Sequence, residues 1–212
     1  MTGALKIRIL LFVLASTFAC TAYTINQTFD KKEILYRDAK KLQDRLHKKE
    51  TFVQNLFNNP RLFDSLGTLH ENAAWAQSLI PELQDKRQIY LNTFQDNQLQ
   101  FWIGNRILFN SDARVKEGSS FLSWKNGFYE VIKKSKGGFS AVAFIPIKSN
   151  YPYQNQFLEN EFSPDLIKTR NIDIASGSDQ TAASIRNSDG KYLFSVNRFH
   201  LSNPCKEPCF YD

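Results

Sequence analysis

The spacing of apolar residues changes several times along the 212-residue chain, which opens with an unbroken apolar run. Ile7–Ile25 covers 19 residues, and its middle part carries no charge. A helix of this length is just long enough to cross ~30 Å of hydrocarbon, so we predict a transmembrane anchor within residues 1–25. Two alternatives stay open: a cleaved signal peptide, with Cys20 and Ala22 at a −3/−1 spacing, or a lipoprotein signal at Cys20.

Two basic residues predict how this segment is oriented. Lys6 and Arg8 lie at its N-terminal end, and the basic flank of a membrane helix stays in the cytoplasm. The residues that follow are therefore expected on the opposite side, in both the anchor and the signal-peptide interpretation.

A heptad pattern follows the apolar run. Positions spaced alternately by four and three residues form a seam with one lysine in it: Leu35, Ala39, Leu42, Leu46, Lys49, Val53 and Leu56. This period predicts a long membrane-proximal helix over residues 26–59, ended before Pro60. The seam is either a homodimer contact through residues 35–56 or a stripe that packs against the following domain.

Beyond residue 60 the pattern changes from irregular helix to strand. Residues 89–94 and 99–104 predict one hairpin, and the dipeptides Asn126-Gly127 and Gly137-Gly138 predict two tight turns. In the strand that follows, Pro146 is expected at an edge or a strand end, because proline cannot donate to a ladder.

The last part of the pattern predicts a short helix over residues 155–162 and a hairpin that turns at 187–190. Together these elements indicate an α+β domain over residues 60–200, with one meandering antiparallel sheet of PAS/Cache-like type backed by helices. Residues 201–212 are left as a C-terminal tail.

Composition and charge narrow the class of protein. With 42% hydrophobic and 23% charged residues, the chain is neither disordered nor collagen-like. The net charge is +6, and basic residues are concentrated at 30–50, where acidic residues alternate with them. Mixed signs are typical of a solvated helix face, so no nucleic-acid partner is expected. Cys205 and Cys209 could close a small disulfide loop outside the cytoplasm.

The chain carries no recognisable catalytic motif: no Gly-rich phosphate loop, no nucleophile elbow and no zinc-binding H-E-x-x-H. We therefore expect no enzyme activity, cofactor or metal site. Binding is the better hypothesis, because aromatic residues at strand ends can line a pocket and cations can fix an anionic group. The candidate ligand-binding residues are Trp102, Arg106, Trp124, Tyr129 and Lys148. For each alone, core packing or solvent exposure is the simpler explanation.

Three motifs occur in order between residues 123 and 164: W-x-N-G-x-Y at 124–129, IPIK at 145–148 and N-x-F-L-x-N-x-F at 155–162. With the apolar run and the heptad, they resemble the extracytoplasmic sensor region of bacterial membrane-bound sensor histidine kinases. The resemblance implies an anchor in the bacterial inner membrane and a main domain facing the periplasm or cell exterior.

The same resemblance implies that the domain binds an unknown small-molecule or protein stimulus for a two-component system. The sequence departs from the family after residue 201, where neither a second apolar span nor a kinase follows, so we expect a sensor module without its own kinase domain. The alternative is an exported binding or structural protein, secreted or lipid-linked, with no signalling role.

Overall fold

The computed structural model describes residues 3–156, 158–175 and 182–198. Three α-helices come first, α1 (Gly3–Asn58), α2 (Pro60–Leu66) and α3 (Ala73–Ile80), the last continuing into a π-helical turn, Pro81–Asp85. Eight strands follow: β1 (Tyr90–Gln95), β2 (Gln98–Ile103), β3 (Gly118–Trp124), β4 (Gly127–Lys136), β5 (Phe139–Ser149), β6 (Ile172–Ile174), β7 (Ala183–Arg186) and β8 (Tyr192–Arg198). The α+β class is confirmed. Cys205 and Cys209 lie outside the described residues.

Helix α1 runs without a break through both the apolar run and the heptad. Its 56 residues contain no proline and no glycine after Gly3, so nothing in the sequence interrupts it. The segment Ile7–Thr24 is exposed, and it is long and apolar enough to cross a membrane, a property that signal sequences share. Within it, threonine hydroxyls such as that of Thr21 bond to carbonyls of the preceding turn.

The second half of α1 packs on the rest of the chain. All seven heptad positions are buried, and Leu42 and Leu46 are fully so. Lys49, which interrupts the apolar repeat, is 8% exposed and forms an ion pair with Asp165. Burial lowers the pKa of Lys49, although Asp165 opposes that shift. Because the seam is buried within a single chain, the structure favours the second interpretation, a stripe that packs against the following domain, over a homodimer contact.

The strands form two antiparallel sheets where the sequence predicted one meander. The larger sheet has the order β2-β1-β5-β4-β3, and the smaller has the order β6-β8-β7. Strand β6 has only three residues, too few for a periodic signal. The first hairpin is confirmed, because the two residues between β1 and β2, Asp96 and Asn97, both have positive φ, as a tight hairpin turn requires.

Strand β5 lies at the centre of the larger sheet and contributes to a core on each face. Ala141, Ala143 and Ile145 belong to the core that includes α1. Val142 and Phe144 belong to a second cluster, which the β2–β3 connection covers. Pro146 lies near the C-terminal end of β5, between Phe144, its last residue paired with β1, and Ile147, which accepts from the Ser163 amide. It is therefore close to a strand end, as predicted, although β5 is not an edge strand.

Two sequence predictions are wrong in detail. The turn between β3 and β4 is Lys125-Asn126, and Gly127 already belongs to β4, where it pairs with Trp124. A side chain at Gly127 would lie 2.8 Å from the carbonyl oxygen of Lys148, so glycine is needed here for close approach.

The predicted helix over 155–162 is absent from the described residues of that segment. Asparagine side chains bond to the backbone of this segment and of the residues before it. The Asn155 side chain accepts from the Leu158 amide, and that of Asn160 bonds to both the amide and the carbonyl of Tyr151. The segment is therefore held as an irregular loop.

The burial of the α1 seam predicts the effect of shortening one of its side chains. Leu42→Ala should lower the free energy of unfolding by about 2–5 kcal/mol, because it leaves a cavity between helix and sheet. Urea denaturation of the full chain in detergent micelles measures this. Lys41→Ala, one position away on the exposed side, is the matched control and should change stability by less than about 0.5 kcal/mol. Equal small effects of both substitutions would contradict the packing described.

Candidate functional site

A cavity of about 330 Å³ lies where β4 and β5 extend beyond β1. Three of the five candidate residues line it: Arg106, Tyr129 and Lys148. Its size lies at the lower end of the range for small-molecule pockets. The opposite wall is the chain that follows β5, including Tyr151, Glu159, Glu161 and Phe162.

The backbone explains why the cavity forms at this place. The β4–β5 ladder shifts register between Phe128 and Tyr129, and Tyr129 pairs with Pro146. The chain after β5 then folds back along the same strand, with hydrogen bonds from the Ser149 amide to the Glu161 carbonyl (2.9 Å) and from the Ser163 amide to the Ile147 carbonyl (2.8 Å). The irregular loop between these two bonds forms the outer wall.

Tyr129 forms the floor of the cavity. It is 3% exposed, and its hydroxyl donates to Oδ1 of Asn126 at 3.0 Å. Burial raises the pKa of Tyr129 to about 12, and the positive charge of Arg106 opposes that rise only in part. The phenol is therefore a neutral hydrogen-bonding group throughout the physiological range.

Arg106 lies on the β2–β3 connection, which is anchored on both sides of it. Gly104 turns the chain out of β2 with φ +79° close to the Tyr90 ring, and Ile107 is fully buried. Further on, Asp112 accepts from Lys133 at 2.7 Å and from Ser140. Burial alone would raise the pKa of Asp112, but these two donors hold it below its usual range. These contacts fix the position of the segment that carries Arg106.

The two cations of the cavity differ in their pairing. Lys148 forms an ion pair with Asp173 of β6 and lies 5.6 Å from the centre of the Phe162 ring. In the described part of the chain, the Arg106 guanidinium has no hydrogen-bond acceptor or ion-pair partner, and Tyr129 is the group on which its charge acts. Arg106 is therefore available for an anionic group.

The two carboxylates in the wall are also partly neutralised. Arg170 contacts Glu159 at 2.9 Å and Glu161 at 2.7 Å. The hydrogen bond from Arg170 lowers the pKa of Glu161 below its usual range. Because two carboxylates share one guanidinium, this wall keeps a surplus negative charge opposite Arg106.

The two candidate tryptophans lie outside the cavity. Trp102 is on β2, at the far edge of the sheet, and is 52% exposed. Trp124 stacks on Phe109 with ring centres 4.5 Å apart, as part of the second core cluster. Tyr151 lines the cavity, whereas Tyr153 is 84% exposed and does not.

Sequence reasoning missed the wall residues between 156 and 164, because that segment was predicted to be a helix. A signal against a helix was present: prolines at 152 and 164 and asparagines at 150, 155 and 160 favour irregular backbone. Among the residues that the structure describes, no three His, Cys, Asp or Glu side chains come together in a group that could hold a metal ion.

Comparison with protein-family models, with curated proteins and with solved structures gives no significant match. What the site can do is therefore inferred from its own chemistry. The cavity combines an unpaired guanidinium, a neutral phenol and a wall of surplus negative charge. Such a site can bind and orient a small polar molecule.

Because Tyr129 is buried, its phenol should ionise at a higher pH than an exposed tyrosine does. In an ultraviolet pH titration of the full chain, one tyrosine should ionise with a pKa near 12, and Tyr129→Phe should remove that transition. Tyr153→Phe, at a largely exposed position, should leave it in place. If the late transition survives in Tyr129→Phe, the placement of Tyr129 in the cavity floor is wrong.

Proposed function

We propose that this chain is a membrane-anchored sensor module of two-component type, whose domain faces away from the cytoplasm and binds a small anionic ligand. The observation that carries the proposal is the convergence of Arg106, Tyr129 and Lys148 on one cavity, with Arg106 unpaired among the described residues. The ligand's anionic group would bind Arg106, and the Tyr129 hydroxyl, whose proton is donated to Asn126, would accept from a donor group of the ligand. A cationic group on the same ligand would complement the Glu159–Glu161 wall.

The sheet supports the PAS/Cache-like part of the proposal. The larger sheet is antiparallel throughout, with the first two strands at one edge and the last strand, β5, at the centre. A long N-terminal helix packs on one face, and a connection between strands covers the other. This arrangement is typical of that class of sensor domain.

A direct connection between cavity and helix supports a signalling role. Ser163 and Pro164 line the cavity, and the next residue, Asp165, forms the ion pair with Lys49 of α1. Arg45, one helical turn earlier, donates to the carbonyl oxygen of Leu166 at 3.0 Å. Because α1 continues unbroken into the apolar segment, a ligand that shifts this wall would act on the helix that leaves the membrane.

One observation supports the second candidate, an exported binding protein with no signalling role. The segment Ile7–Thr24 also has the properties of a signal sequence. Cleavage there would release the domain from the membrane and leave the cavity as a simple binding site.

Membrane fractionation distinguishes the two candidates. An anchored chain should sediment with membranes and resist extraction at alkaline pH, because the apolar helix is buried in hydrocarbon. Recovery of a soluble form that begins near Tyr23 would exclude the anchored sensor and support the exported binding protein.

The role of Arg106 is tested by ligand-induced thermal stabilisation of the full chain in micelles. A panel of small carboxylates, amino acids and their neutral amides provides the probes. A compound present at about 100 times its Kd should raise Tm by about 5 °C or more. Arg106→Ala should abolish that shift.

Arg114→Ala is the matched control, because Arg114 is an exposed residue of the same connection outside the cavity. It should leave the shift unchanged. A compound that stabilises wild type and Arg106→Ala equally would show that the anionic group does not bind where we propose.

A further inference from the structure

A polar stripe on α1 docks the β7–β8 hairpin. Its residues follow a spacing of four, three and four, and each contacts the hairpin. Gln43 accepts from the Arg186 amide (2.9 Å), and His47 bonds to the Arg186 carbonyl (2.8 Å). Glu50 accepts from the Ser188 amide (2.6 Å), and Gln54 donates to the Ser188 hydroxyl (2.9 Å). The helix, the small sheet and the large sheet meet at this stripe.

At the centre of this junction, two carboxyl groups are buried against each other. Glu50 of α1 is 1% exposed, and Glu130 of β4 is 0% exposed. Oε1 of Glu130 accepts from the Ser119 hydroxyl at 2.6 Å. The other oxygen of Glu130, Oε2, and Oε1 of Glu50 have no donor in the described part of the chain. Glu50 is nevertheless close enough to Glu130 to raise the pKa of that carboxyl group.

The surrounding charges do not compensate for two negative groups. Asp189 in the hairpin turn adds a further negative charge that acts on Glu130. Lys191 donates to the backbone carbonyl of Ser119, and Lys49, adjacent to Glu50, is paired with Asp165. Among the described residues, no lysine or arginine forms an ion pair with either carboxyl group.

A proton shared between the two carboxyl groups can compensate for the missing donors. If Glu130 is protonated, its hydroxyl can donate to Glu50, and one charge is removed from the junction. Burial, followed by the charge of Glu50, raises the pKa of Glu130 well above its usual value. The pair therefore binds a proton more tightly in the folded chain than a solvent-exposed glutamate does.

We propose that Glu50 and Glu130 form a proton-binding lock that holds α1 against the sheet and the β7–β8 hairpin while the proton is bound. Loss of the proton leaves two adjacent carboxylates in a buried site, and their repulsion loosens the contact between helix and hairpin. The stimulus for this lock is external pH. It requires neither the cavity nor a ligand, so it stands whether or not the ligand-binding proposal is correct.

The direction of the pH effect follows from which state binds the proton more tightly. The folded chain retains the proton above the pH at which an unfolded glutamate loses it, so stability should fall as pH rises between those two pKa values. The measurement must therefore extend from acidic pH, where both states hold the proton, to alkaline pH, where both have lost it.

Thermal melting of the full chain in micelles across this pH range tests the lock. Wild type should lose at least about 4 °C of Tm between the two ends. Glu130→Gln, a neutral group of the same shape, should remove most of that fall. Glu50→Gln tests the same pair from the helix side and should also reduce it. Asp44→Asn, an exposed position on α1, is the control and should retain the wild-type profile.

Hydrogen exchange locates the effect in the structure. Raising the pH should increase exchange at the Ser188 amide, after correction for the intrinsic rate, in wild type but not in Glu130→Gln. The proposal is overturned if wild type and Glu130→Gln have parallel melting profiles, or if the hairpin amides respond equally in both. Failure of Glu130→Gln to fold would also overturn it, because a neutral amide should be accommodated where a neutral carboxyl is.

Discussion

The burial of the α1 seam against the larger sheet is the contact on which the rest of the domain depends. It fixes the rotation of the helix, and with the seam covered, two polar stripes face the rest of the chain. One stripe holds the β7–β8 hairpin through Gln43, His47, Glu50 and Gln54. The other holds the 165–169 segment through Asp38 and Arg45, together with Lys49 of the seam. The helix therefore contacts the rest of the domain on three of its faces, and it continues directly into the apolar segment.

This arrangement connects each candidate functional feature to the same helix. Residues 163–165 connect the cavity to α1, and Glu50, which lies on α1, belongs to the carboxyl pair. The two routes use different residues and different chemistry, one an ion pair and the other the proton that we propose Glu50 and Glu130 share. Ligand binding and pH could therefore bias the position of α1 independently, and their effects should add when the sites share no partner.

The sequence predicted those features that depend on local spacing. The heptad positions are periodic, and the glycine turn at 137–138 follows from backbone freedom. It did not predict the role of Lys49, because its partner Asp165 is distant in sequence. Nor did it reveal the Glu50–Glu130 pair, since two glutamates 80 positions apart carry no local signal. In the cavity, the sequence suggested Arg106, Tyr129 and Lys148, but it did not predict the wall from 156 to 164, an irregular loop held in part by asparagine side chains.

The most direct test of the central contact is hydrogen–deuterium exchange along α1 in the full chain in micelles. If the helix is packed on the sheet as described, amides between residues 35 and 57 should be as strongly protected as those of β4 and β5, the strands that form the core of the larger sheet. Rapid exchange of that part of α1, with protection confined to the strands, would show that the helix does not pack on the domain.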